Sequence, residues 1–530
     1  MADAARVVVV GAGVGGLVAA LQLAARGLAV TVVEAAAGPG GKMRALEVDG
    51  TRIDAGPTVL TMRWVFDELL AEVGATHDEL PALTPLAVLA RHAWAADGST
   101  LDLHADPARS ADAIAAFASP REAARFLAFC DDAARVYRTL EAPHIRSARP
   151  SVGQMIGDLG ARGLATLGAL GPFSTLAGVL ARRFRDPRLR QLFGRYATYC
   201  GASPWLAPST LMLVAHVEQQ GVWSVEGGMH ALAEALAAMA ARRGAQFRYA
   251  SACERIEVQG GRVAGVRLAG GERLAADAVL YNGDASALVH HLDVAERAHA
   301  PPPVKARARS LSALTWALHV QTSGLALTRH NVFFDAPYAS EFDDVFVHRR
   351  LPRHGTVYVC AQDRLDDRAA PPGRERLLAL VNAPADGDRA PAALASSPLS
   401  DSEIERCQDR CLTLLARCGL TLSATQPQQA RRRTPEDFAR LFPGSGGALY
   451  GAATHGWMAL FRRASSATTL PGLYLAGGSV HPGPGVPMAA MSGRLAAATL
   501  MADLGSTRRS HRVRISGGMS MPSATTAAMP

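Results

Sequence analysis

A glycine-rich loop near the start of the chain, Gly11-Ala12-Gly13-Val14-Gly15-Gly16, constrains the fold more than any other feature of the sequence. An apolar, β-branched run, Arg6–Val10, precedes it and is typical of a buried parallel strand, whereas the apolar spacing of Val14–Arg26 predicts a helix. In such a loop the first glycine permits the tight turn, the second lets the backbone approach a pyrophosphate, and the third lets helix and strand pack closely. The amides and the dipole at the helix start then face the anion. The sequence therefore predicts a strand, turn and helix that bind a dinucleotide diphosphate.

The second predicted strand, Ala29–Val33, ends at Glu34 and is followed by Ala35. A carboxylate at this position accepts hydrogen bonds from ribose hydroxyls, and it would repel a 2′-phosphate. An adenosine diphosphate group is therefore favoured over NADP.

Two short motifs follow soon afterwards. In Gly40-Gly41-Lys42-Met43-Arg44, two glycines let the chain pass close to a cofactor, and two cations could offset phosphate charge. The segment Asp54-Ala55-Gly56-Pro57-Thr58 is typical of a strand end that leads into a close-approach turn. Taken in isolation, a solvated basic loop and an ordinary turn explain these two motifs better.

A second glycine-rich loop lies near the other end of the chain. The apolar strand Leu473–Ala476 leads into Gly477-Gly478, and Pro487–Leu504 is predicted to be a helix that ends at Gly505. The two glycines would let the backbone reach a ribityl phosphate. The helix start, around Gly485-Val486-Pro487-Met488, could face the pyrimidine end of an isoalloxazine, where negative charge develops on reduction. This loop narrows the predicted dinucleotide to a flavin.

Length and charge bound the remaining possibilities. The chain has 530 residues, more than one typical core, so two or more domains are expected. The net charge is +8, and four of these charges come from the arginines after Gly505, which leaves only a mild excess elsewhere. Nucleic acid is a weak interpretation because no basic stripe is interleaved with aromatic residues, which make up 6% of the chain. An anionic membrane surface fits this charge at least as well.

The seven cysteines are odd in number, and we expect no signal peptide, so a reducing cytosolic compartment is the simplest interpretation. Cys407, Cys411 and Cys418 lie on one apolar helical stripe with Ile404 and Leu414, and no CxxC accompanies them. This pattern favours core packing over a metal site, and we expect no metal.

The uncharged run Gly163–Ala181 is long enough to raise the question of a membrane span. Its glycines and its central Pro172 argue against a straight lipid-exposed helix. Arg162 precedes the run and several arginines follow it. Two interpretations stay open: a segment that dips into the membrane and admits a lipid-soluble substrate, with arginines at the headgroups, or a buried pair of core helices.

Taken together and in this order, the motifs resemble those of the carotenoid and phytoene desaturase family of flavoproteins. The likeness extends over nearly the whole chain, up to about Leu504. Besides the loops described above, it includes three segments: Tyr199–Pro208 (Tyr-Cys-Gly-Ala-Ser-Pro-Trp-Leu-Ala-Pro), Gly221–Gly228 (Gly-Val-Trp-Ser-Val-Glu-Gly-Gly) and Ala370–Gly373 (Ala-Pro-Pro-Gly).

The resemblance implies an α/β fold, with a Rossmann-like FAD-binding domain assembled from separated segments and an inserted α+β substrate domain, as in the amine-oxidase and phytoene-desaturase fold. The implied FAD-binding domain comprises residues 1–75, 221–285 and 440–504. The substrate- and membrane-associating domain comprises residues 76–220 and 286–439, and residues 505–530 are expected to form a disordered basic tail. The residues predicted to contact FAD are Gly11, Ala12, Gly13, Val14, Gly15, Gly16, Glu34, Ala35, Gly40, Gly41, Lys42, Met43, Arg44, Gly56, Pro57, Thr58, Cys253, Gly477, Gly478, Gly485, Val486, Pro487 and Met488.

Two departures from the family pattern indicate a particular branch. Phytoene desaturases usually carry Thr-His-Pro-Gly near the C-terminus and often Tyr-Pro before the Gly-Gly near Gly227. This chain has Ser479-Val480-His481-Pro482-Gly483 and Ser224-Val225-Glu226 instead. Both resemble the branch that acts on 1-hydroxy or 1-methoxy carotenoids, the hydroxyneurosporene and methoxyneurosporene dehydrogenases.

The resemblance therefore implies an enzyme of carotenoid biosynthesis that introduces a 3,4 double bond into an acyclic carotenoid by hydride transfer to FAD. A phytoene desaturase or a carotene isomerase of the same family stays open. Less favoured alternatives are an amine oxidase or protoporphyrinogen oxidase on the same fold, and a non-catalytic isoprenoid-binding protein.

The resemblance also implies peripheral attachment to the cytoplasmic face of the inner membrane. Oxygen and a quinone are both open as the electron acceptor. No proton acceptor is singled out, and for each candidate a structural role is the better interpretation. The candidates are Glu226, His481, His216, Glu218 and Arg195.

Overall fold

The computed structural model describes residues 4–148, 152–171, 174–365, 372–388, 399–423 and 427–513. The strands in these ranges are, in chain order, β1 (Arg6–Val10), β2 (Ala29–Val33), β3 (Ala45–Val48), β4 (Thr51–Asp54), β5 (Leu83–Pro85), β6 (Val88–Trp94), β7 (Thr100–His104), β8 (Trp223–Val225), β9 (Gln246–Arg248), β10 (Cys253–Gln259), β11 (Arg262–Leu268), β12 (Arg273–Ala275), β13 (Ala278–Tyr281), β14 (Ser312–Val320), β15 (Thr322–Gly324), β16 (His330–Phe334), β17 (Val357–Ala361), β18 (Glu375–Ala383), β19 (Leu420–Leu422), β20 (Ala430–Arg433) and β21 (Leu473–Leu475).

The α-helices in the same ranges are α1 (Val14–Ala25), α2 (Trp64–Glu72), α3 (Pro107–Phe117), α4 (Pro120–Leu140), α5 (Val152–Leu170), α6 (Leu176–Arg183), α7 (Pro187–Gly194), α8 (Leu213–Gln219), α9 (Met229–Arg242), α10 (Tyr338–Phe342), α11 (Asp401–Arg417), α12 (Pro435–Leu441) and α13 (Val486–Val513).

A five-stranded parallel sheet, in the order β21-β13-β1-β2-β9, is built from segments that lie far apart in the chain. Its central strands are runs of valine that are buried on both faces, as a parallel sheet covered on both sides requires. Helices α1, α9 and α13 pack on one face, and the antiparallel sheet β10-β11-β12 packs on the other. The prediction of a Rossmann-like domain assembled from separated segments is confirmed.

A second large sheet has seven strands, in the order β20-β14-β18-β17-β16-β6-β7. Its pairings are antiparallel except for β16 with β6. Helices α4, α6 and α7 cover one face through an aromatic core, and α11 covers the other face. The strands come from both parts of the predicted inserted domain, whereas the exact domain boundaries stay a prediction.

Helix α11 confirms one local prediction, which concerns its cysteines. Ser400 and Glu403 form a capping box at its start. Cys407, Cys411 and Cys418 are buried in the core beneath the seven-stranded sheet, so their stripe is a packing surface. All seven cysteines lie in described ranges and are free thiols.

The predicted end of the last helix is wrong. Helix α13 begins at Val486 and continues through Gly505 to Val513, so the first part of the predicted disordered tail is helical. Gly505 does not adopt the left-handed conformation that ends many helices, and it therefore does not act as a stop signal. Residues 514–530, the rest of the predicted tail, lie outside the described residues.

The run Gly163–Ala181 is divided between the end of α5 and the start of α6, and Pro172 lies outside the described residues. Gly160, in a left-handed conformation, also interrupts α5. Within the described ranges, no helix combines the length and the apolar character that crossing a bilayer demands. This division agrees with the prediction that the run is not one straight membrane-spanning helix.

Candidate flavin site and adjoining polar cluster

The glycine loop joins β1 to α1 in the way its sequence predicts. Gly11 has a φ of +99°, and its N–H donates to the Val33 carbonyl at 2.8 Å, which ties the turn to β2. Gly13 is the N-cap residue, and the first hydrogen bond within the helix runs from the Leu17 amide to the Gly13 carbonyl at 2.9 Å. The amides that precede Leu17 in the helix therefore have no helical acceptor and are available to an anion.

The glycines in this loop are required by contact with backbone. A Cβ at Gly16 would lie 2.2 Å from the Gly11 carbonyl oxygen. A Cβ at Gly15 would lie 2.9 Å from the carbonyl oxygen of Ala489 in α13, and one at Gly493 would lie 2.2 Å from the Gly15 carbonyl oxygen. Helices α1 and α13 therefore pack so closely that only glycine fits at their contact. The sequence interpretation missed Gly493, which forms one side of this contact.

Glu34 lies beside the glycine loop. One carboxylate oxygen accepts from the Ala12 amide at 2.7 Å, and the other accepts from the Ala36 amide at 2.8 Å. Each oxygen keeps a further lone pair for a ribose hydroxyl. The amide of Ser251 donates to the Glu34 carbonyl at 2.8 Å, which brings the start of β10, at Cys253, to the same edge.

The motifs Gly40–Arg44 and Asp54–Thr58 pack together against the glycine loop. The Gly40 amide donates to the Ala12 carbonyl at 2.8 Å, and a Cβ at Gly41 would lie 3.1 Å from the Gly13 Cα. A Cβ at Gly56 would lie only 1.9 Å from the Lys42 carbonyl oxygen. Motifs that are weak in isolation therefore form one backbone-lined surface.

The cations near this surface are held by uncharged acceptors. Lys42 Nζ donates to the Leu449 carbonyl at 2.6 Å, and Arg44 Nε donates to the Gly41 carbonyl at 2.9 Å. Burial lowers the pKa of Lys42, and the nearby Asp284 opposes that shift. Burial also lowers the pKa of Arg463. The surrounding protein only partly compensates these positive charges, so a bound phosphate would offset what remains.

The C-terminal loop completes the surface. Gly477 has a φ of +112°, and its amide donates to the Ser492 hydroxyl at 3.2 Å. Arg463 Nη1 donates to the carbonyls of Gly478 and Tyr450, at 3.1 and 3.0 Å. The Ala489 amide donates to the Gly485 carbonyl at 2.9 Å, so Val486, Pro487 and Met488 form the first turn of α13. A second helix start therefore stands beside the first.

Asn282, which directly follows β13, is a site residue that the sequence interpretation missed. Its Nδ2 donates to the Gly11 carbonyl at 3.2 Å, and its Oδ1 is buried without a hydrogen-bond partner. A Cβ at Gly477 would lie 2.9 Å from that Oδ1. Asn282 is thus wedged between both glycine-rich loops. A polar residue at the carboxyl end of a parallel strand, the edge where Gly11 and Glu34 also lie, was the available signal.

Asp54 and the Gly227-Gly228 pair act together in a structural role. The Asp54 carboxylate accepts from the amides of Met229 and His230, at 2.5 and 3.2 Å, and so caps α9. A Cβ at Gly228 would lie 2.2 Å from that carboxylate. Burial raises the pKa of Asp54, and these two amides oppose the shift.

The candidates for proton acceptor have different surroundings. Glu226 is exposed, and His216 lies against Gln220 and Tyr137. His481 is buried, its Nε2 donates to the His144 carbonyl at 2.8 Å, and burial lowers its pKa to about 4. His481 therefore braces the C-terminal loop, as the structural interpretation predicted.

Glu218 and Arg195 belong to a polar cluster, which we define as Arg195, Tyr199, Glu218, His330, Tyr338 and Tyr358. Glu218, His330 and Tyr358 are buried, and the other three are half-buried. Tyr196 donates to the Glu218 carboxylate at 2.9 Å, and burial raises the pKa of Glu218. The Arg195 guanidinium donates to the Tyr199 hydroxyl at 3.0 Å and lies 5.2 Å from the ring centroids of Tyr199 and Tyr358. The Tyr358 hydroxyl lies 2.7 Å from Thr58 Oγ1 and 2.7 Å from His330 Nδ1.

These residues fit a dinucleotide cofactor. Two helix starts, the half-buried cations Lys42 and Arg463, a carboxylate with free lone pairs and a buried unpartnered Asn282 Oδ1 surround one surface made largely of glycine backbone. A diphosphate with a ribose on one side and a ribityl chain on the other has the matching acceptors and donors.

Comparisons with known proteins identify the family of the chain. The chain belongs to the family of flavin-containing amine oxidoreductases, whose model matches residues 14–501. FAD is therefore its cofactor, and the chain is a flavin-dependent oxidoreductase. Among solved structures, putrescine oxidase bound to putrescine aligns with a TM-score of 0.57 at 17% identity, over 94% of this chain and 99% of that one, which supports the fold alone.

More similar relatives are carotenoid enzymes. The chain is 62% identical to the hydroxyneurosporene desaturase of Rubrivivax gelatinosus, over 99% of this chain and 98% of that protein. It is 44% identical to the hydroxyneurosporene desaturase of Cereibacter sphaeroides, over 95% and 99% of the two chains. It is 31% identical to the zeta-carotene-forming phytoene desaturase of Myxococcus xanthus, over 94% of each chain.

Proposed function

We propose that the protein is an FAD-dependent desaturase that introduces the C3–C4 double bond into an acyclic carotenoid bearing a hydroxyl or methoxy group at C1. The observation that carries the proposal is the 62% identity, over almost the full length of both chains, to a hydroxyneurosporene desaturase. The glycine surface is intact from Gly11 to Met488, which argues against a binding protein without a flavin.

Each loop has a distinct task in this proposal. The loop at Gly11–Gly16 and the start of α1 hold the pyrophosphate, and Glu34 holds the adenosine ribose. The start of α13 faces the flavin ring, where its dipole stabilises negative charge. Lys42 and Arg463 lie where phosphate or ring oxygens would meet them.

The chemistry removes two hydrogens from adjacent carbons. The C4–H bond is allylic to the polyene, so it can lose a hydride because the positive charge that remains is spread along the conjugated chain. Bound FAD supplies the two-electron acceptor for that hydride. The C3–H bond then breaks heterolytically, its proton leaves, and its electron pair forms the C3–C4 double bond. The protein must hold C4 at about 3–3.5 Å from the reacting atom and exclude water.

We also propose peripheral membrane attachment next to α6, where a lipid-soluble substrate would enter. Trp205, Leu206 and Trp457 are exposed apolar side chains, 41%, 49% and 49% accessible. The Gly456 amide donates to the Leu206 carbonyl at 2.8 Å, and the Leu176 amide at the start of α6 donates to the Ala207 carbonyl at 3.0 Å, so the three lie together. Exposed tryptophan and leucine side chains that lie together are typical of a surface that meets the membrane interface. Replacing both tryptophans by alanine should weaken co-sedimentation with anionic vesicles.

The desaturase proposal is tested by incubating the FAD-loaded protein with vesicles that contain either a C1-hydroxylated acyclic carotenoid or phytoene. We expect a red-shifted product spectrum with the hydroxylated substrate only. Turnover of phytoene would instead support a phytoene desaturase. A protein that retains no FAD under any reconstitution would contradict the enzyme proposal altogether.

A further inference from the structure

Arg195 is a cation in an unusual position. It follows α7, at the start of a 3-10 turn that ends at Cys200, and it lies among tyrosines on the aromatic face of the seven-stranded sheet. Among the described residues, no carboxylate lies within ion-pair distance of it, and its one side-chain hydrogen bond goes to Tyr199. Arg195 is half-buried, and of the five N–H donors of its guanidinium the side-chain contact with Tyr199 uses one.

Two other members of the cluster each have one buried polar atom without a hydrogen-bond partner. The Tyr338 hydroxyl and His330 Nε2 are both buried and form no hydrogen bond in the structure. His330 is only 2% exposed, and burial together with the charges of Arg329 and Arg195 lowers its pKa to about 3, so the ring is neutral. Buried polar groups without partners are uncommon in folded proteins, and a bound ligand is one explanation for them.

The cluster adjoins the flavin loops on two sides. The Tyr358 hydroxyl contacts Thr58 Oγ1 at 2.7 Å, and Thr58 ends the third predicted flavin motif. On the other side, Arg463 links the carbonyls of Tyr450 and Gly478. A Cβ at Gly201, directly after the turn that Arg195 begins, would lie 2.7 Å from Cδ2 of the Tyr450 ring, so this turn packs against Tyr450.

The proposed substrate has its only polar group close to the reacting bond. The oxygen is on C1, and only C2 and C3 separate that carbon from C4. Because C4 must lie against the flavin, any group that recognises the oxygen must adjoin the flavin loops. An arginine offers donors only, and both a hydroxyl and a methoxy oxygen can accept from it.

We propose that Arg195, assisted by the Tyr338 hydroxyl and His330 Nε2, binds the oxygen at C1 of the carotenoid and so selects oxygenated end groups over hydrocarbon ones. This inference rests on the proposed function, and it names the residues that set substrate specificity within that function. Recognition of the oxygen also fixes C3 and C4 relative to the flavin loops, since the polyene itself offers no directional contact.

The test compares two substrates in FAD-loaded, full-length protein: an acyclic carotenoid with a C1 hydroxyl, and the same hydrocarbon without the oxygen. The variants are Arg195→Met, which keeps the length of the side chain without its donors, and Tyr338→Phe, which removes only a hydroxyl that has no protein partner. Arg190→Met is the matched control, since Arg190 lies on α7 and donates to the carbonyls of Phe184 and Arg185.

We expect Arg195→Met to lower the ratio of kcat/KM for the hydroxylated over the hydrocarbon substrate by about 10- to 100-fold, the usual effect of a hydrogen bond to a charged group. Tyr338→Phe should lower the ratio by about 3- to 10-fold, and Arg190→Met should leave it unchanged. Quenching of tryptophan fluorescence measures the two dissociation constants, and the ratio of the hydroxylated over the hydrocarbon dissociation constant should rise in Arg195→Met.

Two results separate failure of this inference from failure of the proposed function. If wild-type protein prefers the hydroxylated substrate and both variants keep that preference, Arg195 does not read the oxygen and only the present inference is overturned. If wild-type protein converts neither substrate, or both equally well, the proposed function itself fails. A loss of FAD in Arg195→Met leaves Tyr338→Phe as the deciding variant.

Discussion

The flavin surface and the polar cluster adjoin each other, yet they are built in opposite ways. The flavin surface is made of backbone: at Gly16, Gly56 and Gly493 an added Cβ would come within about 2.2 Å of a carbonyl oxygen. The cluster is made of side chains from separate elements. Arg195 follows α7, Tyr358 lies on β17, and the fold brings the two into contact. A backbone surface recognises a cofactor that many proteins share, whereas side chains can be exchanged to suit a particular substrate.

Gly16→Val should produce the largest effect and would break the backbone side of the comparison. The new Cβ would lie 2.2 Å from the Gly11 carbonyl oxygen, so β1 and α1 must separate. We expect a protein without FAD and a loss of about 4 kcal/mol or more in the free energy of unfolding. FAD absorbance after purification and chemical denaturation measure both.

Gly505→Ala is the control for that variant. Gly505 lies in α13 with nothing within 4 Å of an added Cβ, and alanine should stabilise the helix by up to about 1 kcal/mol. Normal FAD content in Gly16→Val would show that the glycine loop tolerates a side chain, contrary to the contacts described.

Phe193→Ala would disturb the side-chain region without touching the cofactor loops. Phe193 is fully buried and its ring lies 5.0 Å from those of both Phe129 and Phe184. Its removal should cost about 3–4 kcal/mol of unfolding free energy. FAD affinity in the folded protein should change little. A loss of FAD as complete as in Gly16→Val would mean that the two regions are not separable.

Acid should destabilise both regions, because each contains buried neutral histidines. Burial lowers the pKa of His92 and His144 to about 3 and of His481 to about 4. The unfolded chain binds the proton below about pH 6.5 and the folded chain does not, so stability falls as the pH falls from about 6.5 towards these values. Each histidine contributes up to about 1.4 kcal/mol per pH unit in that window. Denaturant midpoints in His92→Phe should show a shallower dependence, and an unchanged slope would contradict the assignment.

Asn282→Ala should have the smallest effect. It removes the hydrogen bond from Nδ2 to the Gly11 carbonyl and should weaken FAD binding about tenfold. Asn282→Asp should weaken it further, because a carboxylate would face the expected pyrophosphate. Equal FAD affinity in both variants, measured by titration of the apoprotein, would show that Asn282 does not face the cofactor.

The same comparison explains which features could be predicted from the sequence. The strand, loop and helix at Gly11–Gly16, the acidic residue Glu34 and the strand into Gly477 were predictable because backbone geometry restricts which residues can occur there. Gly40 and Gly56 were ambiguous in isolation, and only their contacts with the carbonyl oxygens of Met43 and Lys42 show why they are glycines.

The side-chain region could not be assembled from sequence in this way. Arg195 and Glu218 were among the candidates, yet nothing in the chain indicated that His330, Tyr338 and Tyr358 would join them, since sheet order decides that. Asn282 was missed because a single asparagine after a strand has many explanations. The end of α13 was misjudged because Gly505 can remain helical when no chain reversal follows it.

An anaerobic single-turnover assay tests the central claim most directly. FAD-loaded protein is mixed with the C1-hydroxylated carotenoid in vesicles without an electron acceptor, and the product is extracted and compared with the amount of bound FAD. We predict one equivalent of desaturated product per FAD, and no more until an acceptor is added. Product formed without FAD, or formed to the same extent from the hydrocarbon that lacks the oxygen, would contradict the account.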